Sequence, residues 1–417
     1  MTVHFQWSSA AVDAARVPVR DVLPHIVVVG VGYVGLPAAV MWAKAGLSVT
    51  GVDIDPSIVE GINNGRHHVT GGELDRMLSD PAVRDHLVGS ATPVAGDAFI
   101  VAVPTPVDYL TKRPDLGAVE AAVRSICPVL TRGNLVVIES TIPPLTTSGL
   151  VKELIERETG LKVPEDILLA HCPERILPGA IEHEIVHNDR LIGGIDDAST
   201  QAATDLYATF VKGALIPTSA TAAETAKIME NASRDVGIAL ANECALICEK
   251  VGVDASEVIA LANRHPRVNI LSPGIGVGGH CIPVDPWFLV DVAPAETRLL
   301  RAARVVNDEM PKRAATRVRT ALNGKRGARV VALGAAYKRE CDDVREAPAR
   351  DVVRLLQATG ITVEQYDPLV PGMGYASLAE VAKGADLVII LVHHARIDDD
   401  IAAAGGDLPP VLDLDPR

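Results

Sequence analysis

The stretch HIVVVGVGYVG, residues 25 to 35, decides the fold of this chain. Its first part, His25–Val29, is a short β-branched run of the kind that forms a buried strand. The next six residues match the pattern G-x-G-x-x-G through Gly30, Gly32 and Gly35. The first glycine permits a tight turn, the second lets backbone approach a pyrophosphate, and the third packs a helix on the strand. The stretch therefore predicts a strand, a phosphate-binding turn and a helix.

The residues that follow complete this unit. A helical pattern ends at Gly46, and Leu47–Val52 then predicts a second strand that is closed by Asp53. An acid at this place accepts hydrogen bonds from the ribose of an adenosine and repels a 2′-phosphate, so NAD is favoured over NADP. The complete strand, turn, helix, strand and acid pattern is specific, and its NAD site includes Tyr33 and Val34 in the turn. The alternative is a glycine-rich turn with no ligand.

Composition restricts the class of protein. The chain has 417 residues, of which 48% are hydrophobic and 3% aromatic, as expected for an α/β protein of two or three domains. The net charge of −14 argues against binding to nucleic acid. The six cysteines show neither a C-x-x-C pair nor a zinc spacing, so we expect no metal site. The first residues lack the pattern of a secretory signal and no membrane span is expected, which favours a cytoplasmic enzyme.

The chain divides into an extension and three blocks. The extension, residues 1–23, carries none of these patterns. Residues 24–217 alternate strands with helices and predict a Rossmann-like, doubly wound NAD-binding domain. Residues 218–320 predict a central region with one unusually long helix that spans domains or pairs subunits. Residues 321–417 predict a smaller Rossmann-like domain, so two nucleotide ligands are expected, one for each α/β domain.

Several predicted strands of the first block end in polar or proline-rich turns. One predicted strand ends at Val103 and leads into Pro104-Thr105, the next ends at Thr141, and a third ends in Glu174-Arg175. Parallel strands bring such turns to the carboxyl edge of the sheet, where doubly wound sheets bind their ligands. We therefore expect these residues to line a site.

A glycine-rich loop in the second block leads to a cysteine. The loop reads GIGVGGHCIPVD from Gly274 to Asp285 and places Cys281 four residues before the aspartate. Glycines let a bulky substrate approach, and a cysteine there is a nucleophile if its thiolate is favoured. The alternative is a small buried hydrophobe, the usual fate of a free cysteine. The loop alone leaves both interpretations open.

Taken together, these motifs resemble the UDP-glucose/GDP-mannose dehydrogenase family from about residue 24 to near the end of the chain. The resemblance is carried by Gly30–Gly35, Val103–Pro106, Glu139–Thr141, Cys172–Arg175, Glu224–Lys227 with Asn231, Gly278–Cys281, Tyr337-Lys338 and Asp342–Glu346. The family oxidises the primary alcohol of a nucleotide sugar to a carboxylate with two NAD molecules in sequence and without a metal. The resemblance implies a UDP-sugar substrate. The long helix and Arg267 suggest a homodimer or a higher homo-oligomer.

The resemblance also implies roles for single residues. Cys281 would attack the aldehyde that the first oxidation produces, and Lys227 with Asp285 would handle the hydroxyl proton. The second oxidation would give a thioester, which water hydrolyses with the help of Glu174 and Thr141. Without the resemblance, a solvated helix lysine is the preferred interpretation of Lys227, and capping of the turn before Pro286 is the alternative for Asp285.

Lys227 and Asn231 would stabilise the developing oxyanion, and a spacing of four residues puts both on one helix face. By the same resemblance, Thr141 and Arg345 would contact the cofactor, and Arg267 would reach the sugar nucleotide of a neighbouring subunit. The implied substrate contacts are Glu174, Arg175, Lys227, Asn231, Arg267, Gly278 and Lys338.

The cysteine loop also bears on the substrate. His280-Cys281-Ile282 followed by Val284–Phe288 resembles the members of the family that convert UDP-N-acetyl-D-mannosamine to UDP-N-acetyl-D-mannosaminuronate. UDP-N-acetylglucosamine and UDP-glucose remain alternatives, because no short motif defines the sugar epimer. Leu145 departs from the family, in which glycine is common at this place. Two other classes stay open: a non-catalytic nucleotide-sugar sensor, and a hydroxy-acid dehydrogenase, which needs no cysteine nucleophile.

Overall fold

The computed structural model describes residues 24–66, 72–176, 180–374 and 377–415. The predicted extension, residues 1–23, lies outside the described residues. The chain divides into two compact units. The first comprises the residues up to Ile228 together with Trp287–Val292, and the second comprises Met229–Pro286 together with Ala293–Arg417.

The first unit is built around a β-sheet with helices on both faces. Its strands are β1 (His25–Val29), β2 (Ser48–Val52), β3 (Leu87–Ser90), β4 (Ala98–Val101), β5 (Leu135–Ile138), β6 (Leu168–His171), β7 (Arg190–Gly194) and β8 (Leu215–Ser219). They form one sheet in the order β3-β2-β1-β4-β5-β6-β7-β8. Its helices are α1 (Gly35–Lys44), α2 (Pro56–Asn63), α3 (Gly72–Leu78), α4 (Pro81–Arg84), α5 (Gly117–Ile126), α6 (Lys152–Thr159), α7 (Ile181–His187) and α8 (Asp197–Tyr207), with a π-helical turn at Thr147–Val151 before α6.

The central strands are apolar on both faces, and both faces are covered. Ile26 and Val28 of β1 belong to one hydrophobic core, whereas Val27 and Val29 belong to the other. All four residues of β4 and all four of β5 are buried. Continuous burial of this kind is typical of a doubly wound α/β sheet, which confirms the predicted fold class of this unit.

The first strand lies inside the sheet. β1 pairs in parallel with β2 on one side and with β4 on the other. The connection after β1 leads to β2 on one side, and the chain later returns to β4 on the other side. A crevice therefore opens between the connections at the carboxyl ends of β1 and β4. The Gly30–Gly35 turn and Val103 both lie at this crevice, as the sequence predicts.

The sheet is mixed, which the sequence analysis does not anticipate. β7 runs antiparallel to β6, with Ala170 opposite Gly194 and His171 opposite Gly193. The expectation of a parallel sheet is therefore wrong at this edge, because apolar runs specify strands and not their direction. The reversal brings Arg190, the first residue of β7, to the carboxyl edge of the sheet.

The helical part of the second unit is held together by buried polar groups. Its helices are most of α9 (Ala220–Val251), α10 (Ala255–Ala262), the start of α11 (Asp285–Val292) and α12 (Arg298–Ala321). Asp235 of α9 accepts hydrogen bonds from Arg304 at 2.5 Å and from Asn307 at 2.8 Å, and Asn242 donates to Asn307 at 2.9 Å. A buried charge must keep its partners, so these bonds fix the register of α9 on α12. The predicted long helix is confirmed at 32 residues.

The second unit also contains a small parallel sheet. Its strands are β9 (Arg329–Leu333), β10 (Thr362–Tyr366), β11 (Leu387–Ile390) and β12 (Val411–Asp413), in the order β10-β9-β11-β12. All its pairings are parallel, and its two faces carry separate hydrophobic cores. The accompanying helices are α13 (Pro348–Gln357), α14 (Leu378–Ala382) and α15 (Ala395–Ala404). The predicted smaller Rossmann-like fold is confirmed.

Among the helices of the described residues, none combines the length and the apolar character that crossing a membrane requires.

Candidate active site

The turn after β1 has the shape of a phosphate cradle. Gly30 has a φ of 89°, and a Cβ there would lie 2.4 Å from the carbonyl oxygen of Ala102. A Cβ on Gly35 would lie 2.0 Å from the carbonyl oxygen of Gly30, so α1 approaches β1 very closely. A Cβ on Gly32 would meet no atom within 4 Å. Packing therefore requires glycine at two of the three positions, and open space lies above the third.

Asp53 lies beside this turn, directly after β2. Its Oδ2 accepts the N–H of Val31 at 3.2 Å, and its Oδ1 accepts the N–H of Asp55 at 3.0 Å. These bonds orient the carboxylate, and each oxygen keeps a second lone pair for a ribose hydroxyl. No side chain caps α1 at Val34, which suits a helix whose first N–H groups bind a phosphate. The residues at this crevice therefore fit NAD.

The predicted residues after β4 and β5 are joined by hydrogen bonds. The N–H of Val103 donates to the hydroxyl of Ser140 at 2.8 Å, and the hydroxyl of Thr105 donates to the carbonyl of Thr141 at 2.6 Å. Pro104 is exposed between them. The two turns therefore form one rim at the carboxyl edge, next to the glycine turn.

Glu174 follows β6 and is held by Arg190. The guanidinium forms an ion pair with Glu174 through Nη2 and with Glu139 through Nη1, the latter at 3.2 Å. The hydroxyl of Tyr207 donates to Glu139 at 2.6 Å, and Arg190 lies 4.5 Å from the centre of the Tyr207 ring. The side chains of Arg190, Glu174 and Glu139 are only 4%, 7% and 0% exposed. We call Arg190, Glu174, Glu139 and Tyr207 the Arg190 network.

Burial changes the acidity of Glu139 within the Arg190 network. It raises the pKa of Glu139 from 4.5 to about 7, an effect that the charge of Arg190 opposes and that of Glu174 reinforces. Among the described residues, no group forms a hydrogen bond with its Oε2. A buried carboxylate oxygen without a partner favours the neutral acid. Glu139 therefore keeps its proton to a higher pH than an exposed glutamate does.

Glu224 and Lys227 lie on the first turns of α9. Glu224 accepts the N–H groups of Leu145 at 2.7 Å and Thr147 at 2.8 Å. Leu145 has a φ of 74°, the left-handed conformation that favours glycine, the residue common here in the family that the motifs resemble. Burial lowers the pKa of His171, at the end of β6, to about 3, and the nearby charge of Lys227 contributes to this. Lys227 therefore lies near the strand end from which Glu174 follows.

In the second unit, Cys281, Asp285 and Asn231 lie together. The N–H of Asp285 donates to the carbonyl of Cys281 at 2.8 Å, which closes a turn. Asn231, on α9, donates its amide N–H to Asp285 Oδ2 at 2.6 Å. Cys281 is exposed, whereas Asp285 is buried. The structure thus joins three predicted residues that are separated by up to 54 positions in the chain.

The other predicted residues of the second unit have varied surroundings. A Cβ on Gly278 would lie 2.6 Å from the carbonyl oxygen of Glu346, so packing alone requires glycine there. Arg345 forms an ion pair with Asp343 at 2.7 Å. Lys338 Nζ lies 5.6 Å from the ring centre of Tyr337. The exposed Arg267 follows α10, and its substrate role stays a prediction.

The sequence analysis does not identify Arg190 or Tyr207 as site residues. Arg190 is preceded by no motif, and the one local signal is a charged residue at the start of an apolar strand. In the sequence, Tyr207 has the pattern of an ordinary buried helix residue. Both depend on contacts between residues far apart in the chain, which a single sequence does not specify.

Comparison with known proteins identifies the family of this chain. Residues 24–211 match the NAD binding domain of the UDP-glucose/GDP-mannose dehydrogenase family, residues 221–309 its central domain, and residues 331–416 its UDP binding domain. The chain is 44% identical over 386 residues to an NDP-N-acetyl-D-galactosaminuronic acid dehydrogenase from Ralstonia solanacearum, covering 89% of this chain and 91% of the relative. It is 41% identical to a UDP-N-acetyl-D-mannosamine dehydrogenase from Campylobacter jejuni, covering 88% and 95%. A UDP-D-ManNAc dehydrogenase structure from Pyrococcus horikoshii matches with a TM-score of 0.88 and 41% identity, covering 94% and 95%.

Two glycine substitutions separate packing from cofactor binding. Gly35→Ala is expected to lower the free energy of unfolding by about 1–3 kcal/mol, because its methyl group overlaps the Gly30 carbonyl. Gly32→Ala is the matched control: it should unfold like the parent protein but bind NAD more weakly, since its methyl enters the open space above the turn. Urea unfolding, followed by the fluorescence of the buried Trp42 of α1, and NAD titration measure the two effects. Equal stability of Gly35→Ala and the parent would contradict the packing argument.

Glu139→Gln tests the acidity of the buried carboxyl. In the parent, the pKa of Glu139 rises from 4.5 to about 7 on folding. Between these pH values, the carboxyl is therefore ionised in the unfolded chain but mostly protonated in the folded protein. The stability of the parent relative to the variant should therefore fall as the pH rises through this window and stay level above it. Melting temperatures of both proteins at several pH values measure the difference. Arg190, Glu174 and Tyr207, which face the carboxyl, are the same in both proteins, and a difference independent of pH would rule the shift out.

Proposed function

The chain belongs to the UDP-glucose/GDP-mannose dehydrogenase family, and on this premise we propose that it oxidises UDP-N-acetyl-D-mannosamine to UDP-N-acetyl-D-mannosaminuronate. Its NAD binding and UDP binding domains make it an NAD-dependent nucleotide-sugar dehydrogenase. The proposed chemistry rests on one observation. The exposed Cys281 lies in a turn with Asp285, and a hydrogen bond from Asn231 orients the Asp285 carboxylate. A protein that only binds nucleotide sugars has no need of an exposed thiol beside an oriented carboxylate.

The choice of sugar rests on the loop around Cys281 and on the relatives. The loop resembles that of the N-acetylmannosamine enzymes, and the Campylobacter and Pyrococcus proteins are named for this sugar. The Ralstonia relative supports an N-acetylgalactosamine nucleotide as the second candidate. Both candidates carry an acetamido group, so the proposal favours 2-acetamido sugars over UDP-glucose.

The first half of the reaction would form and capture an aldehyde. NAD bound at the glycine turn supplies the hydride acceptor for both oxidations. The proton of the C6 hydroxyl would pass to a water molecule that Lys227 and Asp285 activate, and from it to solvent. The sulfur of Cys281 would then add to the aldehyde carbon and form a thiohemiacetal, while the second N–H of the Asn231 amide stabilises the oxyanion. The covalent bond keeps the intermediate on the enzyme between the two oxidations.

The second half of the reaction would release the acid. Oxidation of the thiohemiacetal leaves a thioester on Cys281. Glu174 and Thr141 would position a water molecule whose oxygen bonds to the acyl carbon while the carbon–sulfur bond breaks. One alcohol, two NAD and one water thus become one carboxylate, two NADH and three protons, which pass to solvent.

The proposed domain roles follow the family. We assign NAD binding to residues 24–217, subunit pairing to residues 218–320 and UDP-sugar binding to residues 321–417. Leu240, Ile247 and Val251 recur at helical spacing along α9 and are 54%, 62% and 65% exposed. An exposed apolar stripe on a long helix is typical of a subunit interface. It supports the proposal of a homodimer.

Substrate and stoichiometry are measured together. We expect two NADH per molecule of UDP-N-acetyl-D-mannosamine, recorded by absorbance, with much slower turnover of UDP-N-acetylgalactosamine, UDP-N-acetylglucosamine and UDP-glucose. Preferential turnover of UDP-N-acetylgalactosamine would select the second candidate. A yield of one NADH would refute the two-step reaction, and no NADH from any of these sugars would favour a sensor.

Cys281→Ala is the control for the covalent step. The variant should fold and bind NAD like the parent, because Cys281 is exposed and its side chain lies outside the glycine turn. It should form no acid. Production of acid at the parent rate would exclude the thioester.

The oligomeric state is tested on the apolar stripe. Ile247→Glu should shift the protein from dimer to monomer in sedimentation velocity, because it places a charge in the proposed interface. Glu249→Gln, a nearby charge change on the same helix, serves as the control. A parent protein that is monomeric and fully active would refute the proposal.

A further inference from the structure

The reversal of β7 explains why an arginine meets Glu174. In the β6–β7 pairing, Ala170 lies opposite Gly194 and His171 opposite Gly193. Continuing this register outward by three residues brings Glu174 opposite Arg190. The antiparallel direction of β7 therefore places its first residue beside the turn that follows β6, where Glu174 lies.

Arg190 itself is held from two further elements. Glu139 follows β5 and pairs with Nη1 at 3.2 Å, whereas Tyr207 at the end of α8 lies beneath the guanidinium at 4.5 Å. Burial alone would lower the pKa of Arg190, but Glu174, Tyr207 and Glu139 together raise it. A planar guanidinium can bind two carboxylates at fixed angles, which a lysine ammonium cannot do. Arg190 is therefore both charged and immobile.

The contacts of Glu174 hold its carboxylate in one orientation. Its Oε2 is bound by Arg190, and its Oε1 accepts the N–H of Arg175 at 2.7 Å. With one donor on each oxygen, the carboxylate cannot rotate without breaking a bond, and its remaining lone pairs have set directions. Positioning of this kind contributes to a reaction because the group does not have to be oriented at the moment of reaction.

We infer that Arg190 is the positioning residue for thioester hydrolysis, and that Glu139 and Tyr207 hold it in place. The inference rests on the proposed function. In the step, the oxygen of water bonds to the acyl carbon and the carbon–sulfur bond breaks with its electron pair on the sulfur of Cys281. The protons of the water pass to Glu174 and then to solvent. Arg190 touches neither the water nor the acyl group, and it acts through the orientation of Glu174.

Arg190→Lys tests this role through the order of the steps. We expect a first-turnover burst of two NADH per subunit at the parent rate, followed by a steady-state rate lowered by about 10- to 100-fold. The thioester on Cys281 should accumulate and appear as an added sugar-nucleotide mass on the intact protein. A lysine that merely weakens the fold would slow the burst and the steady state together and leave no adduct, and this result would overturn the inference.

Further variants make the test independent of stability. Glu139→Gln combined with Arg190→Lys should recover part of the steady-state rate, because the single ammonium then serves Glu174 alone. Tyr207→Phe, which keeps the ring and removes one hydrogen bond, should show the same adduct to a smaller extent. If Arg190→Lys does not fold, absence of the adduct in Tyr207→Phe overturns the inference.

Arg304→Lys is the matched control. Arg304 is also buried and also pairs with two carboxylates, those of Asp235 and Asp308, but it lies in the second unit. It should lower the melting temperature like Arg190→Lys without accumulating the thioester. A parent that does not form two NADH per molecule of sugar nucleotide would refute the proposed function itself. A parent that forms two NADH and an Arg190→Lys variant without the adduct would refute only the role of Arg190.

Discussion

The buried guanidinium of Arg190 connects three strands of the first sheet with the helix α8. A charge inside a protein must be met by opposite charge and hydrogen bonds, or it costs several kcal/mol. Glu139 after β5, Glu174 after β6 and Tyr207 on α8 provide these partners only when all their elements are in place. The same requirement fixes the carboxyl edge, which carries the predicted NAD and water-positioning residues. The geometry of this edge therefore depends on the partners that the buried charge of Arg190 requires.

The second unit uses the same physical solution. Arg304 is buried between α9 and α12 and pairs with Asp235, and the polar chain continues through Asn307 to Asn242. Asn242 in turn accepts the N–H of Gly274, at 2.9 Å, where the cysteine loop begins. The loop that carries Cys281 is thus anchored to a buried charge through the helix pair. In both units, a buried arginine thus fixes how neighbouring elements pack.

The two sheets differ at the acid that follows the second strand of each. In the first sheet, Asp53 after β2 is partly exposed and accepts two backbone N–H groups. In the second sheet, Asp367 follows the corresponding strand β10 but is fully buried, and it accepts hydrogen bonds from Ala335, Leu369 and His394. The first acid therefore remains accessible to a nucleotide, whereas the second stabilises its own fold. Similar topology does not imply the same ligand chemistry.

The sequence by itself determined the features that depend on neighbours along the chain. The turn at Gly30–Gly35, the acid at Asp53 and the long helix α9 follow from glycine sterics and hydrophobic spacing, which act within a few residues. The resemblance of separated motifs added Cys281 and Glu174, and with them the class of reaction. Only the tertiary structure decided the direction of β7, the pairing of Arg190 with Glu174, the raised pKa of Glu139 and the bond from Asn231 to Asp285. These features arise from desolvation and from contacts between distant residues, and neither is present until the chain has folded.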